Sequence, residues 1–75
     1  MKKLFKIGEV IRNSNVSRQT LHNYTVMGLI MEAERTPSGH RLYDEGVFER
    51  LRMIEQLKSR MTLMEIREQL GSRGA

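Results

Sequence analysis

A mainly α fold, four helices with a small β-hairpin, is what three features of this 75-residue sequence predict. The segment from Ser17 to Gly28 opens on a hydroxyl residue suited to accept a first-turn backbone N–H and closes on a glycine suited to a left-handed cap. A shorter apolar pattern precedes it across the turn residues Asn13-Ser14-Asn15, and the two together make a helix-turn-helix. A Pro-Ser-Gly hairpin signal follows, and after it come two more runs of apolar residues at helical spacing.

Ile7, Val10, Ile11 and Ser14 fall at spacings of three and four, so residues 7 to about 13 form a helix too short to stand alone. Asn15 is expected to take the left-handed conformation of a tight corner. In the second helix Leu21 and Tyr24 face inward, with Val16 just before and Leu29 just after. The opposite face offers Arg18, Gln19, His22 and Asn23, all hydrogen-bonding groups and none acidic, which suits an acceptor-rich partner such as nucleic acid. The second helix of such a pair enters a major groove, its amino-terminal residues meeting base edges; here these are Ser17, Arg18, Gln19 and His22.

In the stretch Glu32 to Tyr43, Pro37 pre-sets the φ of a type I turn and Gly39 supplies the positive φ that follows it. The resulting hairpin is a wing, with Arg35 and Arg41 flanking its tip as two cations able to straddle a sugar-phosphate backbone or approach a minor groove. Asp44 and Glu45 suit the positive end of a third helix. Its apolar residues Val47, Phe48, Leu51, Ile54 and Leu57 pack the core through about Ser59, and Glu49, Arg50, Arg52, Glu55 and Lys58 form its wet face. Thr62 and Glu65 have capping-box spacing before Leu63, Ile66 and Leu70, so a last helix spans about 63 to 70 and stops at Gly71. Residues 1–71 therefore read as one winged helix-turn-helix domain, and 72–75 as a disordered tail.

Composition narrows the function. A chain of this length buries only about 60% of the surface its unfolded form exposes, too little to enclose an enzyme pocket. There is no Cys, hence no disulfide framework or thiolate metal site, and a cytoplasmic location is expected. The basic amino end is followed by an apolar run broken by Lys6, Gly8 and Glu9, too soon for a signal peptide or membrane span, so neither is expected. The net charge is +4, and all of the excess lies in residues 1–43, where seven basic groups stand against three acidic ones. Such asymmetry suits a phosphate-binding face. The six methionines are read as fillers of a small core.

Several motifs occur together and in order: Ile7-Gly8-Glu9-Val10, Val16-Ser17, Thr20-Leu21, Tyr24, Gly28-Leu29-Ile30, Arg35-Thr36, Ser38-Gly39, Arg41-Leu42-Tyr43, Arg50-Leu51 and Leu63 to Ile66. Over about residues 5 to 70 the chain resembles the DNA-binding domain of the MerR family of bacterial transcription regulators. The resemblance implies a sequence-specific regulator that binds promoter or operator DNA. By position it places Ser17, Arg18, Gln19, Thr20, His22, Asn23 and Tyr24 on or beside the recognition surface, and Arg35, Ser38, His40 and Arg41 on the wing. It implies no cofactor and no enzymatic activity, and RNA polymerase as a partner of an intact regulator.

The chain also departs from the family pattern. His22-Asn23-Tyr24-Thr25 replaces the usual Arg-Tyr-Tyr-Glu, His40 replaces the wing tyrosine, Ile11 replaces a small residue and Arg60 a glycine. His22 is expected to contact a phosphate and gain a proton in the complex. Family members usually continue into a long dimerising helix, so the 75 residues alone are expected to be monomeric, and a homodimer is expected where such a helix follows. Two other classes fit the same pattern: an excisionase-like architectural DNA binder and a winged helix used for protein contact.

Overall fold

The structure, a computed structural model, describes residues 3–71, so the expected tail at 72–75 lies outside the described residues. Where the sequence sets its own stops, the helices obey them. Ser17 is extended and its hydroxyl accepts the backbone N–H of Thr20 at 3.1 Å, which starts the helix Arg18–Met27. Gly28 ends it at φ 84°, with its own N–H on the Thr25 carbonyl and that of Leu29 on the Tyr24 carbonyl. Those two bonds form a Schellman cap, which satisfies carbonyls that the helix end would otherwise leave open. At the last helix, Leu63–Gly71, the Glu65 carboxylate accepts the Thr62 N–H at 2.8 Å and the Thr62 hydroxyl accepts the Glu65 N–H at 3.2 Å, the expected reciprocal box.

The full order is β1 (Leu4–Lys6), α1 (Ile7–Arg12), α2 (Arg18–Met27), β2 (Glu34–Arg35), β3 (Arg41–Asp44), α3 (Gly46–Leu57) and α4 (Leu63–Gly71). The wing closes as expected. Thr36 N–H donates to the His40 carbonyl, Gly39 N–H to the Thr36 carbonyl, and Gly39 stands at φ 92°. The hairpin, however, is part of a three-stranded antiparallel sheet of order β1-β3-β2, because Leu4, Phe5 and Lys6 pair with Asp44, Tyr43 and Leu42. The sequence reading had no strand at the amino end. Phe5 also meets Phe48 of α3 edge-to-face, with ring centroids 5.0 Å apart, so the strand is held on a second side.

The corner between α1 and α2 differs from expectation. Among the described residues no non-glycine residue has positive φ, so Asn15 is not left-handed. Side chains turn the chain instead. Asn13 Nδ2 donates to the Glu9 carbonyl at 2.7 Å and Ser14 Oγ to the Val10 carbonyl at 2.6 Å, closing the helix without a strained residue. Arg50 is a second correction. Assigned to the wet face of α3, it is half-buried and its Nε donates to the Leu29 carbonyl at 2.8 Å, tying α3 to the chain leaving α2.

The core is Val10, Leu21, Tyr24, Leu29, Ile30, Tyr43, Val47, Leu51, Ile54, Ile66 and Leu70, drawn from every helix, the central strand and the Leu29-Ile30 link that follows α2. Each such side chain contributes roughly 1.5 to 3 kcal/mol on burial. Met27, Met53 and Met61 pack against this core as fillers, but Met31 and Met64 are exposed and fill nothing.

Candidate nucleic-acid interface

The packing of α2 decides what it can offer. Leu21 and Tyr24 share its inner face and are 1% and 3% exposed, so their neighbours around the helix must look outward. Arg18, Gln19, His22 and Asn23 are exposed. Gln19 Nε2 donates to Asn23 Oδ1 at 3.0 Å, so the two amides are held in one arrangement before any partner arrives. Ser17 and Thr20 serve the helix start: the Ser17 hydroxyl donates to Thr20 Oγ1 at 2.9 Å while accepting the Thr20 N–H. Tyr24 corrects the placement drawn from the resemblance. It is a core residue, on the same inward row as Leu21.

The wing is fixed to this helix through Tyr43. Its ring is fully buried and its hydroxyl lies 2.8 Å from Thr25 Oγ1, which also donates to the Leu21 carbonyl at 2.8 Å. Thr25 has one hydroxyl proton and gives it to that carbonyl, so Tyr43 is the donor in the shared bond. Strand β3 and α2 are thereby joined through a half-buried hydrogen bond. At the tip, Ser38 Oγ lies 3.0 Å from His40 Nδ1 and 3.1 Å from Thr36 Oγ1, and the His40 N–H donates to Thr36 Oγ1 at 3.0 Å. These bonds order an exposed loop that Pro37 and Gly39 have already bent.

The two wing arginines are not free cations. Arg35 Nε lies 2.5 Å from Glu32 Oε2, and Arg41 Nε lies 3.1 Å from Glu32 Oε1. Arg41 also donates from Nη1 to His22 Nδ1 at 3.3 Å, which links the hairpin to the outer face of α2. The Arg35 guanidinium beside Glu32 holds that carboxyl below its usual range, although partial burial opposes the shift, and Glu32 in turn raises Arg35. Sequence reading missed Glu32, Thr25 and Tyr43. Glu32 stands in a loop with no motif, and only the folded hairpin brings it against both arginines.

Two open recesses lie between helix and wing. One is lined by Ile7, Arg18, Gln19, Leu21, His22, Arg41 and Tyr43, and the other by Lys6, Ile7, Gly8, Arg18, Thr36, Ser38, His40, Arg41 and Leu42. Arg18 and Arg41 border both, so the helix and the wing present one continuous basic surface. Among the described residues no group of three or more acidic or histidine side chains could hold a metal ion, and no helix is long and apolar enough to cross a membrane.

A capped helix with a polar outer face, set beside a basic hairpin, defines a winged helix-turn-helix. Comparison with known proteins gives the family. Residues 5–72 match the model of the MerR HTH family regulatory protein, and the chain belongs to that family. It is 38% identical over 68 residues to the mercuric resistance operon regulatory protein of Bacillus cereus, covering 89% of this chain and 52% of that protein. It is 37% identical over 70 residues to nodulation protein NolA of Bradyrhizobium sp. (strain NC92), covering 92% of this chain and 30% of that one. The crystal structure of a MerR-family transcriptional regulator from Bacillus cereus superposes with a TM-score of 0.79 at 26% identity, over 91% of this chain and 52% of that one. The chain thus spans about half or less of the length of these relatives.

Proposed function

We propose that this chain binds double-stranded promoter or operator DNA sequence-specifically, with α2 in the major groove and the wing on the adjoining backbone or minor groove. Arg18, Gln19, His22 and Asn23 are the side chains that meet base edges or the phosphates beside them. Ser17 and Thr20 lie at the helix start where the backbone passes, and Arg35, Ser38, His40 and Arg41 act from the wing. The observation that carries this reading is the continuity of the basic surface, in which Arg18 of the helix and Arg41 of the wing border the same two recesses. As part of an intact regulator, the domain would act as one half of a homodimer in the cytoplasm, with RNA polymerase as a further partner.

A salt titration tests the reading. If about three to five phosphates are neutralised, log K falls with log salt at a slope of about −0.9 per phosphate. Arg35→Ala and Arg41→Ala are expected to weaken all duplexes alike, whereas Arg18→Ala and Gln19→Ala relax preference at particular base pairs by about 1 to 3 kcal/mol. A flat salt response, or equal losses on every duplex for all four variants, would contradict it.

A further inference from the structure

Glu32 lies in the stretch between α2 and β2, and both of its carboxylate oxygens are engaged by the wing. Oε2 accepts from Arg35 Nε at 2.5 Å, and Oε1 accepts from Arg35 Nη2 at 3.2 Å and from Arg41 Nε at 3.1 Å. Arg41 then reaches His22 on α2. One acid therefore gathers two guanidiniums, and the set is continuous with the recognition helix. An anion held by guanidinium forks is also how proteins hold a phosphate group. We propose that Glu32 is an internal stand-in for a DNA phosphate, an affinity-setting residue that positions Arg35 and Arg41 in the free protein and must yield them to the sugar-phosphate backbone on binding. The inference rests on the DNA-binding reading above.

The exchange lowers what each arginine contributes without cancelling it. The Arg35 pair lies at the surface and the Arg41 pair is half-buried; such pairs are weak and screened by salt, so each arginine gains by moving to a phosphate, but less than a free cation would. Glu32 is then left as an unpaired negative charge beside a negative backbone, which opposes binding. It touches no base in this scheme, so it acts on every sequence alike. The neighbouring Glu34 supplies a control: it is exposed, carries the same charge, and makes no ion pair among the described residues.

The test compares wild type, Glu32→Gln and Glu34→Gln on a selected and a random duplex across a salt series. Glu32→Gln is expected to bind both duplexes about three- to tenfold tighter, the fold-change corresponding to the two weak ion pairs that Glu32 makes at or near the surface. Its salt slope should steepen by at most about 0.9 in all, because wild type already places both arginines on phosphates and differs only in the cation that the unpaired Glu32 takes up on binding, with the preference between duplexes unchanged. Glu34→Gln should give a smaller gain with no change in slope, and Glu32→Gln placed on Arg35→Ala should lose much of its gain. Thermal unfolding of each variant reports that the fold is retained, and Glu32→Ala repeats the test without the amide. Wild type binding with Glu32→Gln equal to it, weaker, or no different from Glu34→Gln would overturn the inference and leave DNA binding standing. Absence of salt-dependent binding by wild type would overturn the DNA-binding reading itself, and the inference with it.

Discussion

At the scale of single residues, two hydrogen bonds link the wing to α2, and each makes a prediction. The Tyr43 hydroxyl donates to Thr25, so Tyr43→Phe removes one bond and leaves Thr25 still donating to Leu21. The expected loss is about 0.5 to 1.5 kcal/mol, read as a lower urea midpoint at unchanged slope. An unchanged midpoint would mean that the bond does not help to hold β3 on α2. The second bond runs from Arg41 to His22 Nδ1. A guanidinium only donates, so that nitrogen carries no proton in this arrangement, and a doubly protonated imidazole cannot accept. His22→Ala removes this acceptor together with a side chain of the outer face of α2, so DNA binding is expected to weaken while the urea midpoint stays within about 0.5 kcal/mol of wild type. Unchanged binding would take His22 out of the interface.

At the scale of elements, the ends of α2 rest on two residues with different physics. Ser17→Ala removes a side-chain acceptor at the first turn and should cost about 1 kcal/mol. Gly28→Ala forces a side chain into left-handed backbone at about 1 to 2 kcal/mol. The new Cβ would sit 3.6 Å from Arg67 Nε, an ordinary contact, so the cost is conformational and not steric crowding. Denaturant unfolding of the two variants checks both figures, and a Gly28→Ala protein as stable as wild type would refute the second. Caps of this kind are local in sequence, which is why the bounds of α2 and α4 could be read from the residues alone. The hairpin was legible for the same reason, through Pro37 and Gly39. Strand β1 was not, because three residues carry no period and their partners lie beyond two helices. Nor was the arginine chemistry, since the charge of Arg35 and Arg41 is visible in the sequence but their engagement by Glu32 arises only when the loop folds back. The α1 to α2 corner was mistaken because Asn13 and Ser14 can bond the preceding turn, a route that competes with a left-handed residue.

At the scale of the whole molecule, the apolar residues are almost all committed. Ile66 and Leu70 of α4 are buried, and among the described residues the exposed large hydrophobics are Val26, Met31 and Met64. The 75 residues are expected to sediment as a monomer and to hold a single half-site at roughly micromolar affinity or weaker at physiological salt. Two copies joined by a linker that spans both half-sites of an inverted repeat should bind about 100-fold tighter or more, through effective concentration alone. A stable dimer of the 75 residues would overturn the first expectation and point to the exposed methionines as its seam. The central place of β3 has a consequence for the order of assembly. Leu4 pairs with Asp44, so the first strand must wait for the chain beyond the hairpin, and α1 and α2 are already synthesised by then. Loop closure of that span is among the costlier steps, because contacts distant in sequence form slowly. During synthesis the two helices of the motif therefore emerge before the sheet that orients the wing can exist, and a nascent chain halted short of Tyr43 holds the polar outer face of α2 without the strand that aligns the wing with it.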